Sequence, residues 1–86
     1  MKFRKNPQPL SSPFYGELSG CNDLLHHFGR LMWDRIEEKA KIGWTGWDSP
    51  HLLDTIDQRI QSCIQEGNEV DAANLLMFKW NIKQVR

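Results

Sequence analysis

The sequence is poor in the features that mark exported and membrane proteins. Polar residues interrupt every apolar segment well before the about 20 consecutive apolar residues that a transmembrane helix needs. Two cysteines, Cys21 and Cys63, are too few for a disulfide framework. The basic N-terminus is followed by Asn6-Pro7-Gln8-Pro9, where a signal peptide would have its apolar segment. We therefore expect a cytoplasmic protein with reduced thiols and no membrane association.

The sequence also lacks the local motifs of common enzymes. No serine stands in a recognisable context with His and Asp, and no His-Glu-x-x-His pair is present. The spacing Gly43-x-x-Gly46 lacks the Lys-Ser/Thr of a phosphate-binding loop and carries tryptophans where a phosphate needs open backbone. His26 and His27 are adjacent, so on a helix they point about 100° apart and do not face one metal ion. We expect no enzymatic activity, no cofactor and no metal.

Paired acidic residues leave one enzymatic alternative open. Glu37-Glu38 lies on one predicted helix and Asp54-x-x-Asp57 on the next. Facing acidic pairs hold magnesium in the all-α nucleotide pyrophosphohydrolases, in which Glu-x-x-Glu faces Glu-x-x-Asp. Here Lys41 follows Glu38 by three residues and breaks the first pair. A metal-dependent nucleotide (dNTP) hydrolase, or an accessory module of one, is therefore the alternative and not the main interpretation.

Charge is balanced overall, with 11 basic and 11 acidic residues, but it is unevenly distributed. The N-terminus carries Lys2, Arg4 and Lys5 and no acidic residue. The charged residues of segment 79–86 are likewise all basic. Residues 42–78 carry mainly acids, which argues against a continuous basic surface. A nucleic-acid-binding accessory protein is therefore a second alternative, and nucleic acid is not the expected partner.

Apolar spacing predicts an all-α fold, a three-helix bundle with helices at about residues 22–41, 50–65 and 69–84. The third helix is apolar on a broad face, so we expect it to be central to the bundle or covered by a second copy of the chain. Gly67 is expected to end the second helix and Asn68 to cap the third. Spacings of three and four define the apolar faces of the first two helices: Leu24, Leu25, Phe28, Leu31, Met32 and Ile36, then Leu52, Leu53, Ile56, Ile60, Cys63 and Ile64.

The first 20 residues differ in composition from the rest. They contain three prolines, three serines and two glycines, which predicts an irregular N-terminal arm over residues 1–20 and a single helical domain over residues 21–86. Apolar residues within the arm indicate that residues 10–18 pack on the helices. Gly29, inside the first predicted helix, either allows close approach of another helix or marks a bend.

A loop with two tryptophans precedes the second helix: Gly43-Trp44-Thr45-Gly46-Trp47-Asp48-Ser49-Pro50. Asp48 or Ser49 is placed to cap the helix, and Pro50 suits its first position. Trp44 and Trp47 either fold back on the core or contact a partner, and both interpretations remain open. For a partner interface we expect contacts from Trp44, Trp47 and Asp48, with auxiliary contacts from Arg30 and the basic arm: Lys2, Arg4 and Lys5.

This loop and the third helix together resemble a motif of short proteins encoded by bacteriophages and prophages. The motif residues are Gly43-Trp44-x-Gly46-Trp47-Asp48-x-Pro50 and Gly67-Asn68-x-Val70-Asp71-x-Ala73-Asn74-Leu75-x-Met77-x-x-Trp80-Asn81. Over residues 30–81 the pattern is also similar to a segment of some phage proteins described as dATP/dGTP pyrophosphohydrolases. The resemblance implies a phage accessory protein in the host cytoplasm and supplies no catalytic residue.

The motif positions have an architectural interpretation. Gly67 makes the interhelical turn, and Met77 and Trp80 are expected to fill a core. Asp71 and Asn74, polar residues spaced i,i+3 on an apolar helix, are expected to hydrogen-bond the Trp47-Asp48 loop and hold it on the third helix.

These observations predict a small, non-enzymatic, phage-encoded protein-binding module. Its expected partner is a host or phage protein. The most specific prediction is that it inhibits host defence or host machinery. A homodimer is a further option.

Overall fold

The computed structural model describes residues 12–84, and this part of the chain is all-α without strands. The elements are α1 (Ser12–Lys41), a short 3₁₀ helix (Pro50–Asp54), α2 (Ile56–Gln65) and α3 (Glu69–Gln84). The predicted three-helix bundle is confirmed. The second predicted helix is divided, because its first turn is 3₁₀ and α2 begins only after Thr55.

The first helix begins ten residues before its predicted start at residue 22. The prediction of an irregular arm is therefore wrong for residues 12–20, while Lys2, Arg4 and Lys5 lie outside the described residues. The prediction rested on the local content of Pro, Ser and Gly, which disfavours a helix without excluding one. Gly29 lies inside α1, and a Cβ there would meet no atom within 4 Å, so close approach does not explain this glycine.

The end of α2 and the start of α3 follow the predicted capping pattern. Gly67 has a φ of +74°, and its N–H donates to the carbonyl of Ile64 at 3.1 Å. The N–H of Asn68 donates to the carbonyl of Cys63 at 2.7 Å, which completes a Schellman motif. Asn68 Oδ1 then accepts from the N–H of Asp71 at 3.4 Å. This short connection makes α2 and α3 antiparallel neighbours.

The start of the 3₁₀ helix also matches a predicted cap. Ser49 Oγ accepts a hydrogen bond from the N–H of His51 at 3.3 Å, and Pro50 occupies the first position. Of the two candidates for this cap, Ser49 and Asp48, the structure selects Ser49.

The third helix lies between the other two. In the part of the chain that the structure describes, α3 packs against α1 and α2, whereas no Cα of α1 lies within 8 Å of a Cα of α2. The core is therefore built on α3, against α2 and the 3₁₀ helix. Its buried apolar residues are Leu52, Ile56, Ile60, Ala72, Phe78 and Ile82.

The N-terminal half of α1 reaches beyond this core. Leu24 and Leu25 are largely exposed, whereas Met32 and Ile36 in the second half are half-buried. The longest dimension of the molecule is 46 Å, close to the about 45 Å length of a 30-residue α-helix. The length of the molecule is therefore the length of α1.

Candidate functional site

Asp71 is the centre of a polar cluster between α1 and α3. Its buried carboxylate accepts hydrogen bonds from Arg35 Nε at 3.0 Å and from Asn68 Nδ2 at 2.8 Å. Lys39 Nζ lies 3.9 Å from the same carboxylate, and Arg35 also donates to Glu38 at 2.9 Å. The hydrogen bonds to Asp71 and then to Glu38 raise the pKa of Arg35. The cluster therefore joins α1 to α3 through a permanently charged guanidinium.

Asn74 makes a second polar contact between the same helices. Its Nδ2 donates to the backbone carbonyl of Met32 at 3.1 Å. Asp71 and Asn74 thus bind α1, and the prediction that they hold the Trp47-Asp48 loop is wrong. The physical reason is that positions i and i+3 share one helix face, and this face of α3 is turned towards α1.

The loop tryptophans pack on α3. The ring centroid of Trp44 lies 5.6 Å from that of Phe78, and the centroid of Trp47 lies 5.9 Å from the same ring. Gly43, two residues after the end of α1, has a φ of +88°. Lys39 Nζ lies 5.9 Å from the centroid of the Trp44 ring. Trp44 is half-buried against the core, while Trp47 is 46% exposed and keeps an open side.

The third helix presents an apolar face that α1 and α2 leave uncovered. Ala73, Leu76, Met77 and Trp80 follow the spacing i, i+3, i+4, i+7, which places them on one side of the helix, and we call this set the α3 stripe. Trp80 is 64% exposed, and Leu76 and Met77 are also exposed. The prediction that Met77 and Trp80 fill the core is therefore wrong. The core side of α3 is occupied by Phe78, about 200° around the helix from Trp80.

A second exposed tryptophan lies on α1. Trp33 is 59% exposed, and Arg30 is exposed one turn before it on the same face. Asp48, the remaining predicted contact in the described part of the chain, is exposed as well. Trp and Arg are over-represented among residues that dominate binding energy in interfaces. The helix tryptophans are therefore more exposed than the loop tryptophans that the sequence singles out.

A groove of about 530 Å³ lies between α1 and α2. It exists because both helices pack on α3 without approaching each other. Its floor contains Asn74 and Leu75 of α3, and its sides contain Ile36 of α1 and Cys63 of α2, with Trp44 also lining it. The volume falls within the about 300–1,000 Å³ of typical small-molecule sites.

Arg35 and Lys39 are the site residues that sequence reasoning missed. They follow Met32 by three and seven positions, on the helix side that otherwise carries apolar residues such as Ile36. The signal that would have revealed the cross-helix cluster is the presence of two cations on the apolar side of α1. They face α3, whose only buried acid among the described residues is Asp71.

The paired acids of the enzymatic alternative do not meet. Asp57 accepts a hydrogen bond from Lys79 at 2.6 Å, and Glu38 accepts one from Arg35. Within residues 12–84, no group of three or more His, Cys, Asp or Glu side chains is placed to hold a metal ion. Glu37-Glu38 and Asp54-x-x-Asp57 therefore do not form one magnesium site.

No helix of residues 12–84 combines the length and the hydropathy that a membrane-spanning helix requires.

Comparison with known proteins gives no match: no protein-family model, no curated protein and no solved structure matches the chain.

Proposed function

We propose that this chain is a small, non-enzymatic helical module that binds another protein. The observation that carries the proposal is the α3 stripe, an apolar helix face that α1 and α2 leave uncovered and that ends in the exposed Trp80. Exposed apolar patches of this kind mark interaction sites in soluble proteins, and a tryptophan contributes more binding energy than most residues. The proposed partner is a host or phage protein.

The spacing and flanking charges of the stripe suggest which kind of partner surface would fit it. Its apolar residues are spaced for an amphipathic helix that lies along α3, with anchors at i, i+3, i+4 and i+7. Glu69 lies at the N-terminal end of α3 and Lys83 at its C-terminal end. A partner helix with a basic residue beside Glu69 and an acidic residue beside Lys83 would therefore be complementary.

Additional contacts are proposed for the exposed residues Arg30, Trp33, Trp47 and Asp48. Trp44 is the exception among the expected contacts, since its half-buried ring packs on Phe78. On the resemblance to phage accessory proteins, we propose that this binding inhibits a protein of host defence or host machinery in the host cytoplasm.

The decisive variant changes Leu76 and Trp80 together to Ala. Both side chains are exposed, so we expect the thermal unfolding midpoint to stay within a few degrees of the wild type. In pull-downs from phage-infected cells followed by calorimetry with the purified partner, we expect a loss of affinity of about 30-fold or more. The matched control is Ile64→Ala, an exposed apolar residue of α2 outside the stripe, which should leave affinity unchanged.

Three results would contradict the proposal. Unchanged affinity of the stripe variant would remove the stripe from the interface, and a dimer of the wild type that the variant abolishes in light scattering would identify a second copy as the occupant. Pyrophosphate release from deoxynucleotides with magnesium, abolished by Asp57→Asn, would instead establish an enzyme.

A further inference from the structure

Arg59 is an exposed cation at one end of the groove between α1 and α2. Within residues 12–84 it forms no ion pair, and Asp57, two residues before it, is bonded to Lys79 instead. Arg59 also lines a smaller pocket of about 310 Å³ together with Trp44 and Thr55. These three residues line the groove as well, so the two cavities meet at them, and we call this place the Arg59 end of the groove.

The acidic residues that line the groove lie towards its other end. Glu66 follows Arg59 by seven residues, which is about 10 Å along a helix. Burial raises the pKa of the Cys63 thiol, and the carboxylates of Asp71 and then Glu66 raise it further, so both acids lie near Cys63. Asp71 is moreover already paired with Arg35. Among the described residues, no acid lines the smaller pocket, and the Arg59 end therefore favours an anion.

Accessible apolar surface adjoins this cation. Trp44, Leu75 and Ile36 are half-buried and line the groove, so each keeps surface that a ligand in the groove reaches. Lys39 Nζ, 5.9 Å from the centroid of the Trp44 ring, is a second cation beside the same aromatic residue. An aromatic body gains from contact with a tryptophan ring beyond the area that it buries. A matching ligand therefore combines an aromatic body with an anionic group.

We infer that the Arg59 end of the groove binds a small aromatic carboxylate, whose ring packs on Trp44 and Leu75 and whose carboxylate pairs with Arg59. The planar guanidinium presents parallel N–H donors that match the two oxygens of a carboxylate. Thr55 lies one helical turn before Arg59 and lines the same space, so its hydroxyl is a further donor for this group.

The test compares two probes of nearly the same shape. Cinnamate is ionised at about pH 7, whereas cinnamamide is neutral. Each is titrated into the ¹⁵N-labelled 86-residue chain. We expect cinnamate to shift the indole N–H of Trp44 and the backbone amides of Arg59 and Leu75 saturably. At low ionic strength it should bind about fivefold more tightly than cinnamamide, the upper end for an exposed ion pair. This difference should shrink in about 1 M salt.

Two variants that each remove one positive charge separate Arg59 from the net charge of the protein. Arg59→Gln should abolish the preference for cinnamate. Lys41→Gln is the matched control and should keep it, because Lys41 is exposed at the end of α1 and does not line the groove. Both side chains are exposed, so both variants should match the wild type in circular dichroism.

The Leu76 and Trp80 double variant separates this site from the α3 stripe. Leu75 lies about 140° around α3 from Trp80, so the double variant should bind cinnamate as the wild type does. The inference therefore stands or falls independently of the proposed protein partner.

Several results would overturn the inference. Absence of saturable shifts would show that the groove does not take an aromatic carboxylate. Equal affinity for the two probes, or an unchanged preference in Arg59→Gln, would show that Arg59 does not pair with the carboxylate. Loss of cinnamate binding in the Leu76 and Trp80 variant would place the probe on the α3 stripe. The probe pair and its salt dependence test the inference even when a variant does not fold.

Discussion

Asp71 links α3 to α1 through Arg35, and it also accepts a hydrogen bond from Asn68. We expect Asp71→Ala to lower the free energy of unfolding by about 1–3 kcal/mol, because it leaves the donors of Arg35 and Asn68 without their acceptor. The Arg35 side chain remains 40% exposed, so solvent screens the pair and the lower half of this range applies. Thermal denaturation would show a fall of about 4–8 °C per kcal/mol.

The matched control is Asp57→Ala. Asp57 also forms an ion pair, with Lys79 at 2.6 Å, but its side chain is 72% exposed. We expect a change of less than about 1 kcal/mol, because surface ion pairs contribute little. Equal effects of the two substitutions would show that the Asp71 cluster does not hold α1 on α3.

Neither backbone conformation nor close packing in α1 requires a glycine at position 29. Gly29 lies in the helix interior with open space beside it, so Gly29→Ala should raise the free energy of unfolding by about 0.5–1 kcal/mol. Gly67→Ala provides the contrast. At Gly67 the φ of +74° disfavours any L side chain, and a loss of about 1–2 kcal/mol is expected. Urea denaturation of both variants measures whether the free energy of unfolding rises for Gly29→Ala and falls for Gly67→Ala. A destabilised Gly29→Ala would indicate a backbone contact at Gly29 that the structure does not show.

The boundaries of the elements were predictable where the signals are local. The observed start of α3 at Glu69 equals the predicted start, because Gly67 and Asn68 supply a glycine stop and a side-chain cap next to each other. The start of α1 was not predictable in this way. Pro, Ser and Gly over residues 12–20 favour irregular structure locally, yet these residues belong to α1.

The whole molecule has an uneven distribution of packing. Residues 22–27 of α1 are exposed, whereas α3 carries most of the core. Amides of residues 22–27 should therefore exchange with deuterium much faster than those of residues 72–82 in native-state hydrogen exchange. Similar protection of both segments would show that another surface, such as a second copy of the chain, covers the N-terminal half of α1.

The candidate sites were less predictable than the fold. Sequence spacing places Ala73, Leu76, Met77 and Trp80 on one helix side, but it does not say whether that side faces a neighbour. The orientation of α3 follows from the Asp71 cluster and from Phe78, which are long-range contacts. The groove was not predictable either, since it depends on the distance between two helices that do not touch.

The central position of α3 also affects biosynthesis. As the chain leaves the ribosome, α1 and α2 emerge first, and neither offers the other a surface on which to pack. Their apolar sides therefore stay exposed until α3 follows, which leaves an interval in which the nascent chain is open to chaperones and proteases. A chain halted with α2 outside the ribosome and α3 still inside it would remain in this state.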